Sequence, residues 1–170
     1  NIEWLEELPT KEALIESAPI EEASRVTEEE LSRAADRFLT ALESDEIQNL
    51  LSPPDEEAEV YQEKSFVLRV DKGIQFGEVT MLEPTDIHGS IDRLVIYKNE
   101  VGEIAKAEVI DWKTDRVDDG ELEEKITYYA PQLSSYRLAA SRLLGISAEK
   151  VSVSLVFIST GKVCNISDKT

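Results

Sequence analysis

The sequence predicts an α/β (α+β) domain: a mixed β-sheet flanked by helices. Three observations carry that reading. Helical periodicity dominates up to residue 51 and returns near residues 121–144. Runs rich in Val, Ile, Leu, Phe and Tyr fill the interval between, and reappear at 151–160. The resulting order of helices, three or four strands, helix and strand is that of a sheet with helices packed on it. Residues 1–55 read as an N-terminal helical segment of the same domain, and 56–170 as its core.

The elements follow in order. Residues 1–17 read as short helical pieces interrupted by Pro9 and again by Pro19. Thr27 with Glu30 matches a capping box, in which hydroxyl and carboxylate satisfy free amides at a helix start. Leu31, Ala34, Ala35, Phe38, Leu39 and Leu42 then recur at helical spacing, which predicts an amphipathic helix of roughly four to five turns. A short helix over 45–51 is stopped by Ser52-Pro53-Pro54.

The period then changes to that of strands. Val60, Gln62, Lys64, Phe66, Leu68 and Val70 form one run, Asp71-Lys72-Gly73 has turn chemistry, and 74–79 reads as a returning strand. Residues 86–98 and 104–113 are the next two strands, with a turn at Asn99 to Gly102. A long helix over about 121–144 ends at Gly145. VSVSLVFIST at 151–160 has strong β-propensity, and Gly161-Lys162 turns into a last short strand.

A chain of 170 residues is long enough for one domain with a real hydrophobic core, and its 41% hydrophobic and 32% charged residues are ordinary. No apolar run approaches the ~20 residues a membrane span needs, and the acidic N-terminus lacks the basic start of a secretory signal. Cys164 is the only cysteine, which excludes an internal disulfide, a four-cysteine zinc site and an iron–sulfur cluster within the chain. A cytoplasmic protein with no membrane partner is expected. The net charge of −18 has the wrong sign for a free-standing nucleic-acid binder. Most of the excess lies in residues 1–63, however, whereas Arg93, Lys113, Arg116, Lys125 and Arg137 are placed around the candidate site described next.

Asp92 in GSIDRL and Asp111 in VIDWKTD stand nineteen residues apart on expected neighbouring strands, with Lys113 two places after the second. Residues two apart on a strand point to one face, so Asp111 and Lys113 converge while Trp112 points away. Two carboxylates and one ammonium held together suit a hard divalent cation, a phosphodiester and an activated water. The bland alternatives are a solvated strand-edge Asp92 and a structural Asp111–Lys113 ion pair. Gln132 and Tyr136 are four apart and share a helix face. They either face the site or serve as a loop cap and a core tyrosine. Tyr128, Tyr129, Leu133, Ala139, Ala140 and Leu143 supply the apolar surface expected to pack this helix on the sheet. Glu63 supports a second cation, fixes Lys113, or is one more charge on an acidic strand. His88 lies four residues before Asp92, about 13 Å along an extended chain, and reads as a surface histidine or one behind the ligands rather than a ligand itself. Trp4 and Trp112 read as core or interface aromatics.

Taken together, GSIDRL, VIDWKTDRV, APQLSSY and EKSF resemble the motifs of the PD-(D/E)xK nuclease superfamily, and within it the C-terminal nuclease domain of AddA/RecB-like helicase–nucleases. These stretches are similar to that family's G-x-x-D-R, D-Y-K-T-x-x, Q-x-x-x-Y and E-x-P-F elements, with Ser65 where proline is usual. The resemblance runs from about Glu63 to Gly161. It implies a restriction-endonuclease-like sheet and a Mg²⁺-dependent DNA exonuclease, with Mn²⁺ able to substitute, acting in double-strand break repair and recombination. It implies Asp92, Asp111 and the backbone carbonyl of Trp112 as metal ligands and Lys113 as the catalytic cation. Gln132, Tyr136 and Glu63 would touch DNA or support the ligands. A helicase motor in the same parent polypeptide and a partner subunit are the implied partners, although this chain carries no phosphate loop for ATP. Such nucleases also use a histidine in a preceding G-x-x-x-H motif, and residues 1–62 contain none. Either the chain starts downstream of that motif, as Asn1 in place of methionine favours, or the site works with fewer ligands. Two rivals are a nuclease-like module that only guides DNA or docks proteins, and an acidic interaction domain whose motif matches are accidental.

Overall fold

A computed structural model describes residues 4–18, 20, 25–118 and 120–166. Pro19, the second expected helix interruption, lies outside the described residues. The chain divides into two compact units. One comprises Asn1–Pro53, Lys113–Arg116 and Phe157–Val163, the other Pro54–Trp112, Val117–Val156 and Cys164–Thr170.

In the first unit, helix α1 (Lys11–Ser17) starts at Thr10, whose side chain accepts from the Ala13 amide. Helix α2 (Glu28–Ala41) starts at the expected capping box: Thr27 accepts from the Glu30 amide, and Glu30 accepts from the Thr27 amide at 2.8 Å. That pairing holds the Glu30 carboxyl below its usual range, with the Thr27 backbone bond as the largest cause. Helix α3 (Asp45–Leu51) follows, as the sequence predicts. Ala41, Leu42, Ile47, Leu51 and Phe157 are fully buried and form this unit's core. Ser44 Oγ donates to the Gly161 carbonyl at 2.6 Å. A Cβ at Gly161 would lie 2.9 Å from Ser44 Cβ, and its φ of +67° is one that side chains disfavour. This close approach turns the chain at 160–161, so the strand expected over 151–160 stops at Phe157.

The second unit holds most of a five-stranded sheet in the order β1-β4-β5-β6-β7. Its strands are β1 (Ala58–Val70), β4 (Thr85–Lys98), β5 (Ile104–Lys113), β6 (Val151–Phe157) and β7 (Lys162–Asn165). β1 and β5 each pair antiparallel with β4, whereas β5 reaches β6 through helix α4 (Leu122–Leu144), the crossover used between parallel neighbours. The architecture is therefore a mixed five-stranded sheet flanked by helices, as the sequence predicts. Ile91, Leu94, Val95, Val109, Ile110, Leu155 and Val156 fill its core.

Residues 74–79 do not form one strand. Gly77, at φ +54°, turns the chain between the short strands β2 (Gln75–Phe76) and β3 (Val79–Thr80), which pair as a separate hairpin. A Cβ at Gly77 would meet Pro131 at 3.3 Å, so the turn needs glycine for space as well as for conformation.

Helix α4 ends at Gly145 in the left-handed conformation expected of a glycine cap. It buries Leu133, Tyr136, Ala139 and Ala140, but two expected packing residues do not pack. Tyr128 is 74% and Leu143 54% exposed, because the buried stripe is narrower than a count of apolar residues implies. Among the described residues no helix is long and apolar enough to cross a membrane.

Candidate active site

The register of the sheet decides what meets at the site. β4 pairs with β5 through Arg93 opposite Ile110, and continuing that register by one residue sets Asp92 opposite Asp111. On the other side, Gln62 pairs with Arg93 and Lys64 with Ile91, so Glu63 stands across from Asp92. Glu63 itself drops out of the ladder, with a left-handed φ of +50°. Glu63, Asp92 and Asp111 thus occupy one row across three adjacent strands, whose spacing is about 4.8 Å.

Asp111 is buried, at 1% exposure, while Asp92 is half-buried and Glu63 exposed. The Trp112 amide donates to Asp92 Oδ2 at 2.9 Å. This bond ties β4 to the end of β5 and orients the Asp92 carboxylate. Trp112 itself is half-buried. Lys113 is the last residue of β5, two positions after Asp111, and its carbonyl accepts from the Ile158 amide at 3.0 Å.

Helix α4 brings Gln132 and Tyr136 to the row. Gln132 Nε2 donates to the Tyr136 hydroxyl at 2.7 Å. The Tyr136 phenol is pushed above its ordinary pKa, first by burial and then by the charges of Asp111, Asp92 and Glu63, with the Gln132 bond opposing. The two readings of this residue are not exclusive. Tyr136 is 7% exposed and packs in the core, yet its hydroxyl lies in the field of all three carboxylates.

Gly89 explains how the tyrosine is seated, a role the sequence did not disclose. The Phe66 and Tyr136 rings meet edge-to-face, with centroids 5.6 Å apart and planes at 88°. A Cβ on Gly89 would lie 2.6 Å from Phe66 Cζ and 3.2 Å from Tyr136 Cε1. The glycine of GSIDRL, the phenylalanine of EKSF and the tyrosine of APQLSSY are one packing unit beside the row of carboxylates.

Arg93 corrects an expectation. The sequence places it around the candidate site, but it is 2% exposed. Adjacent strand residues point to opposite faces, so Arg93 leaves the Asp92 side. Its charge acts instead on Glu108 and Tyr97. Tyr97 donates to Glu108 Oε2 at 3.3 Å and Ser154 to Glu108 Oε1 at 3.4 Å. Burial pushes the Glu108 carboxyl up, and burial with Glu108 pushes the Tyr97 phenol to about 12. No motif signals this network, because its members come from three strands. Arg137, also expected near the site, donates to the Ile166 carbonyl at 3.1 Å. His88 is exposed and pairs with Val67, four residues out along β4 from the row, as its sequence position implies.

Among the described residues no group of three His, Cys, Asp or Glu is arranged to hold a metal ion. A hard cation such as Mg²⁺ keeps several waters and takes only one or two carboxylates, so two aspartates and a backbone carbonyl are a sufficient oxygen set.

The model of the PD-(D/E)XK nuclease superfamily matches residues 3–166, nearly the whole chain. The chain belongs to that superfamily. No curated protein matches it significantly. Membership in the PD-(D/E)XK superfamily makes this a nuclease fold whose members use divalent metals on nucleic acid, and the mixed sheet agrees with it.

Proposed function

We propose that this PD-(D/E)XK domain is a Mg²⁺-dependent DNA exonuclease, with Mn²⁺ able to substitute. We further propose that it is the nuclease module of an AddA/RecB-like helicase–nuclease, fed single strands by a motor in the same polypeptide and working with a partner subunit on broken DNA ends. The observation that carries the catalytic reading is the row Glu63–Asp92–Asp111, with the Tyr136 hydroxyl in its field. In this reading Asp92, Asp111 and the Trp112 carbonyl hold the cation. When bound, the cation polarises the scissile phosphate and lowers the pKa of an attacking water. Lys113 orients that water or stabilises the charge developing on the phosphoryl oxygens. Gln132 and Tyr136 support the carboxylates or touch the DNA backbone, and Glu63 adds negative charge at the edge of the row. The motor also answers the electrostatic objection, because a delivered strand need not be captured against a net charge of −18.

A second reading, a nuclease-like module that guides DNA or docks proteins, is favoured by the lack of a three-ligand group among the described residues. Manganese binding and cleavage of end-labelled DNA separate the two. The nuclease binds Mn²⁺ only with Asp92 and Asp111 both present, and Asp111→Ala or Lys113→Ala abolishes cutting by the intact parent enzyme while the fold persists. Cutting that survives either substitution refutes the mechanism. Indifference of metal binding to both aspartates leaves the docking module.

A further inference from the structure

The first unit contains a cavity of about 700 Å³ that the catalytic reading does not use. Helix α2 lines one side with Arg37 and Phe38, and Thr114 and Arg116, just after Lys113, line another. Ser159 is also at the wall, held in place by its 2.5 Å bond to the Asp115 carbonyl. The volume is that of an ordinary ligand site, for which ~300–1,000 Å³ is typical.

The charges on this cavity are unusual for so acidic a chain. Among the described residues Asp36 is the one carboxylate on its lining, and Lys11 engages it at 2.7 Å. Among the described residues neither Arg37 nor Arg116 makes an ion pair or hydrogen bond, although both are exposed and carboxylates outnumber basic groups two to one. Two guanidiniums facing one cavity repel each other unless an anion joins them, and planar guanidinium forks match phosphate oxygens. Phe38 is half-buried and adds an aromatic surface, and Thr114 adds a hydroxyl. Cationic side chains with an aromatic platform are the means by which proteins hold single strands without reading sequence.

We propose that this cavity binds a short stretch of single-stranded DNA, with phosphates on Arg37 and Arg116 and a base stacked on Phe38. The inference rests on the nuclease reading and states where the chain grips the strand it cuts. The cavity begins one residue after Lys113, so the grip and the catalytic lysine lie on the same few residues of chain.

The test is fluorescence anisotropy of a labelled oligo(dT) 20-mer with the full chain in EDTA, where no cutting occurs. Arg37→Ala/Arg116→Ala should weaken binding at least tenfold. It should also flatten the slope of log K against log salt by roughly 1.4, since each phosphate contact on a single strand contributes about 0.7. Phe38→Leu, which keeps the apolar bulk but removes the stacking face, should weaken binding roughly fivefold or more. The charge-matched pair Lys72→Ala/Lys150→Ala should change neither affinity nor slope. Equal losses in both double variants overturn the proposal, as do an unaltered Arg37/Arg116 variant, absence of binding by the parent chain, or full displacement of the strand by 10 mM inorganic phosphate. Strand binding through Arg37 and Arg116 in a chain that never cuts would sink the nuclease reading alone. Cutting that persists with strand affinity insensitive to Arg37 and Arg116 would sink this proposal alone.

Discussion

On one side of β4 the carboxylates of Glu63, Asp92 and Asp111 all push the Tyr136 phenol upward. On the other, Arg93 and Lys106 counter the burial of Glu108, and Tyr97 and Ser154 hydrogen-bond to it. Both sides collect ionisable groups on the same two central strands. On one side opposite charges offset one another around Glu108, and on the other three carboxylates share a row beside the Tyr136 phenol. The Glu108 network reads as part of the fold, whereas the acidic row, packed beside Gly89, Phe66 and Tyr136, is the ligand site proposed above. Adjacent residues, Asp92 and Arg93, belong to the two sides.

That contrast predicts opposite results from substitutions on the two sides. The largest effect belongs to the acidic row: Asp111→Asn should reduce cleavage on the order of 10³-fold, a loss typical of removing a key electrostatic group. It should leave Tm in EDTA no lower than the parent's, because one of three clustered charges is gone. A large drop in Tm would show that the row is a structural network like its counterpart. Arg93→Met should do the reverse. It removes a buried charge whose field offsets the burial of Glu108, and should lower Tm in thermal denaturation. An unchanged Tm would mean that Glu108 is satisfied without Arg93.

Gly89→Ala tests the seat of Tyr136. Its Cβ would clash with Phe66, at a cost of about 1–3 kcal/mol. Phe66→Leu in the same chain should recover part of that stability, and recovery of none would deny the packing. The smallest effect is on the balanced side at high pH. The Tyr97 phenol is raised to about 12 from an ordinary 10.0, so the folded state holds a proton that the unfolded chain releases. Its contribution is therefore complete below pH 10 and is lost as pH rises toward 12. Tyr97→Phe should flatten the fall of stability across that window, measured by urea unfolding at stepped pH.

Much of the fold was legible because strand and helix periods differ and because caps are local. Thr27 with Glu30 and Gly145 marked helix ends without help from the rest of the chain. The hairpin at Gly77 was not legible, since the turn packs close to Pro131, more than fifty residues away in sequence. At the site, the spacing of Asp92, Asp111 and Lys113 was enough to propose a chemistry. Which residue stands across from Asp92 depends on strand register, and that is set by long-range pairing. Arg93 misled for a similar reason. Its place beside Asp92 in sequence puts it around the site, until alternation along β4 turns it away from Asp92 into the Glu108 network.

Glu63 is the only non-glycine residue, among those described, with a left-handed backbone. For an L-residue that conformation costs about 1–2 kcal/mol, and glycine would adopt it freely. The domain therefore retains a carboxylate at a position where backbone comfort alone would choose the smallest residue.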